Sequence, residues 1–400
     1  MITPAEAEQR IFEAMPAMPA EACALADAHG RVLREAVRAD RDLPPFDRAT
    51  MDGYALRTRA LAAGVAQFRV RAVQAAGAPP QALGPAPDDC VEIMTGAVLP
   101  GGADAVVPYE DTARTDDTVT TAAGKSFLAG HAVHRQGSDH RAGEVVVPAG
   151  ARLTARAIAV AAACGRGKLA VSARPRIAVV ATGDELVEVD AAPEAHQLRR
   201  SNDYALRAAL LLAGFPQVER FLLRDAREEI APALERLLAE FDVLILTGGV
   251  SQGRFDLLPS ELERQGVTKV FHGVAQRPGK PFWFGVSTRG KPIFALPGNP
   301  VSSHVCLHRY VLPALARAAG LAASPPPRVA LAAPVNFAPR LAWFLPVVLA
   351  ADSDGIPRAR PAPANTSGDL SGLVGTDGFV ELPAEIRDFP AGTAAPFWAW

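Results

Sequence analysis

FDVLILTGGVSQGRFD, residues 241–256, is the stretch of sequence that decides the fold. Its run Val243–Leu246 is continuously apolar, which is typical of a parallel strand buried on both faces, and Thr247-Gly248-Gly249 ends it. An earlier run of the same kind, Ile177–Ala181, leads into Thr182-Gly183-Asp184-Glu185. Short apolar strands that alternate with amphipathic helices predict a doubly wound parallel sheet with helices on both faces.

This α/β domain is predicted to span residues 173–322. Further strands are expected near 218–223, 269–273, 282–286 and 292–296, and helices near 204–213, 226–239, 256–265 and 301–319. Ser201-Asn202 precedes the first of these helices, where a short polar side chain can cap the exposed backbone N–H groups.

The residues before this domain predict an elongated part that is partly helical and partly β. Thr3-Pro4-Ala5-Glu6 has the pattern of a capping box and predicts a first helix. A second helix is expected near Ala20–Ala28, and an alanine-rich, helix-like pattern returns over 151–170. We therefore predict a helical linker-type domain made of residues 1–43 and 141–172.

Two β-rich units complete the predicted organisation. The prolines of Asp42–Asp47 break helix, and short β-like runs at 68–73, 105–107 and 144–147 predict a β-rich domain over 44–140. Ser324-Pro325-Pro326-Pro327 is typical of a stiff linker. The strand-like runs 343–349 and 379–382 that follow it predict a small C-terminal β-domain over 328–400.

Composition excludes several classes of function. With 43 acidic and 41 basic residues the formal net charge is −2, so there is no overall basic field to attract nucleic acid or an anionic membrane. The four cysteines have no CxxC spacing, which argues against a zinc site and a disulfide framework. No signal peptide pattern and no long uncharged apolar stretch is present, so we expect a cytoplasmic protein without membrane contact.

Three loops are candidates for ligand binding because open α/β sheets bind ligands beyond the carboxyl ends of their strands. They are residues 182–185, 247–253 and 296–302. Glycines allow backbone N–H groups to approach an anion, so Gly248, Gly249 and Ser251 form a plausible phosphate cradle. An ordinary tight turn is the alternative.

Charged residues on or near these loops suggest how a reaction could be assisted. Asp184, Glu185 and Asp256 offer oxygen ligands of the kind that Mg²⁺ shares with phosphate, although Asp256 could equally be a helix cap. Arg277 and Lys280 lie in a proline-flanked loop and suit an oxyanion, with a solvated turn as the alternative. The chain has only five lysines, and this favours a role for Lys280.

Taken together, the motifs resemble the molybdopterin molybdenumtransferase family, of the MoeA and gephyrin E-domain type. The resemblance covers nearly the whole chain and is carried by eight ordered blocks and a weaker ninth: PPFDRATMDGYAL (44–56), IMTGAVLPGGADAVV (93–107), GSDHRAGE (137–144), TGDELVE (182–188), SNDYALRAAL (201–210), LTGGVSQGRFD (246–256), RPGKPFWFG (277–285), LPGNPVSS (296–303) and NTSGDLSGL (365–373).

The resemblance implies a fold, a reaction and a set of residues. It implies a homodimer of four subdomains whose site lies between the α/β domain of one subunit and the β-domain of its partner. The substrates would be molybdate and adenylylated molybdopterin, and a Mg²⁺-dependent step would release AMP and molybdenum cofactor. It implies catalytic roles for Asp52, Asp139, Asp256, Lys280 and Arg277, substrate binding by Thr95, Gly248, Gly249, Ser251, Pro297, Asn299, Pro300, Arg340 and Ser367, and metal binding by Glu185, Asp256 and Asp184.

Three positions depart from the family pattern. Arg277 stands where the family often has lysine, residues 132–138 lack two cations and one acid, and Arg200 stands where an aspartate is usual. These departures leave open a paralogue that handles another oxyanion such as tungstate. A sister enzyme that adenylylates molybdopterin, and a non-catalytic carrier that delivers the cofactor to a molybdoenzyme, are further alternatives.

Overall fold

A mixed six-stranded sheet forms the middle of the molecule in the computed structural model, which describes residues 1–249 and 257–400. Its order is Val218–Leu223, Ile177–Thr182, Val243–Thr247, Pro292–Leu296, Trp283–Val286 and Thr268–His272. The first four strands are parallel, as predicted. The last two are antiparallel to their neighbours. A loop of residues 287–291 joins Trp283–Val286 to Pro292–Leu296, and so short a connection suits an antiparallel pair, since a parallel pair needs a longer crossover.

Helices cover both faces of this sheet, which confirms the doubly wound prediction. One face carries Asn202–Leu212 and the segments Pro300–Cys306 and Leu312–Ala318, and the other carries Arg227–Glu240 and Leu258–Arg264. The strand Ile177–Thr182 alternates accordingly. Ile177 and Val179 enter one core, whereas Ala178 and Val180 enter the other.

The helix Pro4–Ala14 begins with the predicted capping box. Thr3 Oγ1 accepts a hydrogen bond from the Glu6 backbone at 3.2 Å, and the Glu6 side chain accepts one from the Thr3 backbone at 2.7 Å. Ala7 and Ile11 are fully buried in the same core as Ile177 and Val179. The first helix therefore packs on the α/β unit.

The prediction of a second helix near Ala20–Ala28 is wrong. Residues Ala20–Ala24 form a strand that pairs antiparallel with Lys168–Ser172, and a 3₁₀ turn at Leu25–Asp27 follows. The helix-like pattern over 151–170 is likewise reduced to Ala155–Ala163, which Thr154 caps. Helix propensity is a weak determinant even for alanine, the best helix former, and pairing with a strand distant in sequence overrides it.

The residues between these pieces form a β-unit. Its six-stranded sheet has the order Ala105–Pro108, Gly53–Leu56, Asp89–Ile93, Gln67–Gln74, Thr118–Thr121 and Thr112–Thr115. A short antiparallel pair of Arg48–Ala49 with Val133–His134 adjoins it. Val37–Arg38 pairs antiparallel with Val145–Val147 in a separate core that also holds the strand Lys168–Ser172. A short helix, Thr58–Ala62, precedes the Gln67–Gln74 strand.

The C-terminal unit is a small barrel-like sheet. Its order is Gln276–Arg277, Ala342–Ala351, Pro357–Pro361, Arg328–Leu331, Ala394–Ala399 and Gly378–Leu382, and Ala342–Ala351 also pairs with Gly378–Leu382. A shorter pair joins Val335–Asn336 to Asp388–Phe389. The first strand in this order belongs to the α/β unit by sequence, so the two units share main-chain hydrogen bonds. No helix among the described residues is long and apolar enough to cross a membrane.

Candidate functional site

A cavity of about 580 Å³ opens at the carboxyl ends of the parallel strands. The residues that follow three strands meet here: Thr182 and Gly183, then Thr247 and Gly248, then Pro297. The described residues that line it are Ala181, Thr182, Gly183, Glu185, Leu186, Leu198–Asp203, Asp225, Thr247–Gly249, Pro281, Pro297–Pro300 and Gly368. The topology thus gathers loops that are far apart in sequence around one space.

Close backbone packing requires glycine at two positions of the cavity floor. A Cβ atom at Gly248 would lie 2.4 Å from the Thr182 carbonyl oxygen, and one at Gly249 would lie 2.8 Å from Leu258 Cδ1. Both residues have positive φ angles, +96° and +62°, which side chains rarely tolerate. The two remaining residues predicted on this loop, Ser251 and Asp256, lie outside the described residues.

Asn202 holds two of these loops together. Its Nδ2 donates to Thr247 Oγ1 at 3.0 Å and to the Gly298 carbonyl oxygen at 2.7 Å. Ser201 occupies the cap position of the helix Asn202–Leu212, but its side chain makes no hydrogen bond to the helix, so the expected cap is absent. Sequence reasoning missed this bridge, since nothing in the pattern indicates that Asn202 crosses to other strands.

Among the described residues, three carboxylates line the cavity, Glu185, Asp203 and Asp225, and only Glu185 was predicted. Glu185 lines it as expected, whereas Asp184 does not and instead accepts a hydrogen bond from the Asp225 backbone at 3.1 Å. Asp225 was missed, although its place just after the strand Val218–Leu223 was a usable signal.

The carboxylate set fits Mg²⁺ better than it fits a metal enclosed by protein. In the described part of the chain no three His, Cys, Asp or Glu side chains cluster closely enough to enclose an ion. Mg²⁺ keeps several waters and commonly binds one or two carboxylates together with a substrate phosphate. Glu185 and Asp225, on adjoining loops beside the glycine cradle, match that requirement.

Arg200 lines the cavity, but its charge is already balanced. Its guanidinium donates to Asp203 at 2.6 Å and to Glu188 at 2.8 Å, and Asp203 also pairs with Arg220 at 3.0 Å. Asp203 is fully buried, and the Arg200 side chain is only 6% exposed. The departure at Arg200 therefore supplies a structural cation that ties the residues around Glu188 to the helix Asn202–Leu212.

A second cavity, of about 600 Å³, lies between the α/β unit and the C-terminal unit. Arg277 and Lys280 line one side, and neither has an ion-pair partner among the described residues. The lining also includes the stacked rings of Phe337 and Trp343, whose centroids are 4.6 Å apart. Cations without carboxylate partners beside an aromatic wall can hold an anion that carries a flat ring system.

The turn Leu296–Pro300 lies between the two cavities and contributes residues to both. Pro297 and Asn299 line both. Asn299 Nδ2 donates to Ser367 Oγ at 2.7 Å, and the Val301 backbone donates to the Ser367 carbonyl oxygen at 3.0 Å. Ser367 thus fastens the C-terminal unit to this turn.

Four other predicted residues, Thr95, Arg340, Asp52 and Asp139, line neither cavity. Pro300 lines the first cavity only, and Arg340 is exposed and lines neither cavity. Asp52 and Asp139 are in the β-unit and line neither cavity of their own chain.

Asp52 and Asp139 each accept a hydrogen bond within the β-unit. Asp52 accepts from the Thr95 backbone at 2.6 Å and from Thr95 Oγ1 at 2.8 Å, and these bonds lower the pKa of the Asp52 carboxyl. Asp139 lies 2.9 Å from His134 Nε2. The departure over residues 132–138 thus leaves Asp139 beside a histidine, and both carboxylates remain solvent-exposed.

Comparison with known proteins gives a consistent result along the whole chain. Residues 2–165 match the family model described as the MoeA N-terminal region (domain I and II), residues 178–317 the probable molybdopterin binding domain, and residues 328–400 the MoeA C-terminal region (domain IV). A molybdopterin molybdenumtransferase of Synechocystis is 42% identical over 374 residues, which is 93% of each chain. The chain belongs to the molybdopterin molybdenumtransferase family.

Other relatives of the molybdopterin molybdenumtransferases agree with this membership. A protein of that name from Staphylococcus aureus strain Mu50 is 31% identical over 97% of this chain and 93% of its own. A crystal structure of a molybdopterin biosynthesis MoeA protein from Pyrococcus horikoshii matches with a TM-score of 0.79 at 31% identity, over 100% of this chain and 99% of that one. The chain is accordingly a transferase of molybdenum cofactor biosynthesis.

Proposed function

We propose that this transferase inserts molybdenum from molybdate into adenylylated molybdopterin in a Mg²⁺-dependent step that releases AMP and molybdenum cofactor. The observation that carries the proposal is the junction of two different cavities at Pro297 and Asn299. One has a glycine cradle with carboxylates, and the other has two cations without an ion-pair partner in the part of the chain that the structure describes. A substrate that spans the junction can be cleaved at its phosphate while an oxyanion is held beside it.

The first cavity suits the phosphate part of the substrate. Gly248 and Gly249 bring the main chain close to the cavity, where N–H groups can donate to phosphate oxygens. Glu185 and Asp225 would hold Mg²⁺, which when bound neutralises developing charge on the phosphate oxygens. Asn202 contributes by fixing the Thr247 and Gly298 loops relative to each other.

The second cavity suits molybdate. Arg277 and Lys280 have no carboxylate partner among the described residues, so their charges remain available to an oxyanion. Such preorganised cations stabilise charge without reorganising at the moment of reaction. Arginine at residue 277 keeps the charge that a lysine would give but offers a planar, bidentate donor.

We further propose that the active unit is a homodimer. Asp52 and Asp139 are exposed carboxylates that line neither cavity of their own chain, so the β-unit of a second copy would have to bring them to the site.

The four cysteines are unpaired, which supports a reducing compartment such as the cytoplasm.

The test is AMP release from adenylylated molybdopterin by the purified protein with Mg²⁺, with and without molybdate. The proposal expects release that depends on molybdate and that falls about 100-fold or more in Lys280→Ala, since losing one preorganised charge stabiliser typically costs two to three orders of magnitude. Lys269→Ala is the matched control, because Lys269 is an exposed lysine of the same unit paired with Glu263 away from both cavities.

Three outcomes would contradict parts of the proposal. No release by protein that binds the substrate would point to a carrier. Release that responds to tungstate and not to molybdate would assign another oxyanion. Equal activity in Lys280→Ala and Lys269→Ala would remove Lys280 from the site.

A further inference from the structure

The loop that carries Arg277 and Lys280 rests on a buried polar network that the proposed reaction does not use. Gln276 is fully buried, and its Oε1 accepts a hydrogen bond from the Tyr310 hydroxyl. Its Nε2 donates to the Pro278 carbonyl oxygen at 3.0 Å and lies 3.6 Å from Cys306 Sγ. One amide side chain therefore connects the middle of the cationic loop to the helical face of the sheet.

The loop packs on this amide without an intervening side chain. Gly279 has a φ of +94°, and a Cβ atom there would lie 2.5 Å from Gln276 Nε2 and 2.7 Å from Cys306 Sγ. Any other residue would clash with the network or push the loop away. The position of the loop backbone is thus set by where Gln276 lies.

Tyr310 is held in place by an irregular helix. It lies in the π-helical turn Leu307–Val311, between the α-helical segments Pro300–Cys306 and Leu312–Ala318. Such turns are rare and often occur at functional sites, where they redirect a side chain. Tyr310 is 1% exposed, and burial raises the pKa of its hydroxyl, which therefore stays protonated and donates to Gln276.

The other edge of the loop is fixed by the C-terminal unit. Gln276 and Arg277 pair in parallel with Ala342 and Trp343. The main chain of residue 276 is therefore held by one unit, while its side chain is held by the other. This double attachment leaves Arg277 and Lys280 exposed to the second cavity.

We propose that Gln276 and Tyr310 are positioning residues that hold the Arg277–Lys280 loop in the geometry that binds the oxyanion. The inference rests on the proposed function, in which these two cations bind molybdate. Gln276 and Tyr310 act through the loop and do not donate to the substrate themselves.

The first experiment is Tyr310→Phe, which removes one hydroxyl and leaves Gln276 Oε1 without its donor. The expected result is a KM for molybdate about tenfold higher, which corresponds to about 1.4 kcal/mol, with unchanged affinity for adenylylated molybdopterin. Ile230→Val is the matched control. It removes one buried methyl group on the opposite face of the sheet and lowers stability by a similar amount, and it should leave that KM unchanged. An unchanged KM in Tyr310→Phe would overturn the proposal.

Two combined variants separate positioning from a general structural role. In a Lys280→Ala background, Tyr310→Phe should add a smaller loss than it causes in the wild type, because part of its effect acts through that lysine. The double variant Gln276→Met, Tyr310→Phe should recover the melting temperature, since the buried amide and hydroxyl are removed together and the Pro278 carbonyl oxygen belongs to a half-buried residue. It should keep the raised KM because Pro278 is no longer held. A KM that recovers together with the melting temperature would overturn the proposal.

Hydrogen exchange decides the question even if the proposed function fails. The Val274 amide donates to the Lys280 carbonyl oxygen at 2.9 Å, and the Phe282 amide donates to the Gly279 carbonyl oxygen at 3.2 Å. Both amides should exchange faster in Tyr310→Phe than in the wild type or in Ile230→Val. Absence of molybdate-dependent turnover in the wild type would refute only the function, whereas unchanged exchange would refute the positioning role.

Discussion

Replacing Asp203 by asparagine should destabilise the α/β unit strongly, although Asp203 touches no proposed reacting group. Its Oδ2 accepts from Arg200 at 2.6 Å and from Arg220 at 3.0 Å, and the residue is fully buried. Arg200 is itself only 6% exposed. After the substitution it keeps a single carboxylate partner, Glu188, which is 53% exposed.

The magnitude follows from that burial. Removing one partner of a buried ion pair costs about 3–5 kcal/mol, because a charge is left uncompensated in a poorly polarisable environment. For a domain of this size about 1 kcal/mol shifts the melting temperature by about 2–4 °C. We therefore expect the transition of the α/β unit to fall by roughly 6–20 °C.

Thermal unfolding followed by circular dichroism measures this shift. Glu219→Gln is the control, since Glu219 is 57% exposed and pairs with Arg176 at 3.3 Å on the surface. Exposed pairs are worth about 0–1 kcal/mol, so this variant should melt close to the wild type. A shift in Asp203→Asn no larger than that of the control would refute the reasoning that Arg200 is a neutralised structural cation.

Two further predictions concern pH and the junction of the loops. Burial lowers the pKa of His308 from 6.5 to about 4, so the unfolded chain binds the proton more readily than the folded protein. The folded state is therefore not weakened by this residue above pH 6.5, and about 3 kcal/mol of the free energy of unfolding is lost as the pH falls towards 4. His308→Phe should show a smaller fall in melting temperature between pH 7 and pH 4 than the wild type, and an equal fall would contradict this. Asn202→Ala should reduce kcat for AMP release at least tenfold while changing the melting temperature little, because it unlinks Thr247 from Gly298; unchanged kcat would show that the bridge is dispensable.

The sequence by itself determined the α/β unit and the loops at its strand ends. Continuous apolar runs such as Val243–Leu246 have few alternatives to a buried parallel strand, and the helices that alternate with them indicate a sheet covered on both faces. The capping box at Thr3 and Glu6 was equally readable, because its contacts are local in sequence.

Tertiary structure decided what depends on partners far away in sequence. Ala20–Ala24 is a strand because Lys168–Ser172 pairs with it, against a composition that favours helix. Asn202 bridges Thr247 and Gly298, and the charge of Arg200 is cancelled by Asp203 and Glu188.

The cationic loop shows the same division. Charge and proline content alone made Arg277–Lys280 a candidate for binding an oxyanion, with a solvated turn as the alternative. Their attachment through Gln276 to Tyr310 and to the strand Ala342–Ala351 was not. Local patterns record a residue's own preference, whereas the fold determines which distant groups share a buried space and must satisfy each other there.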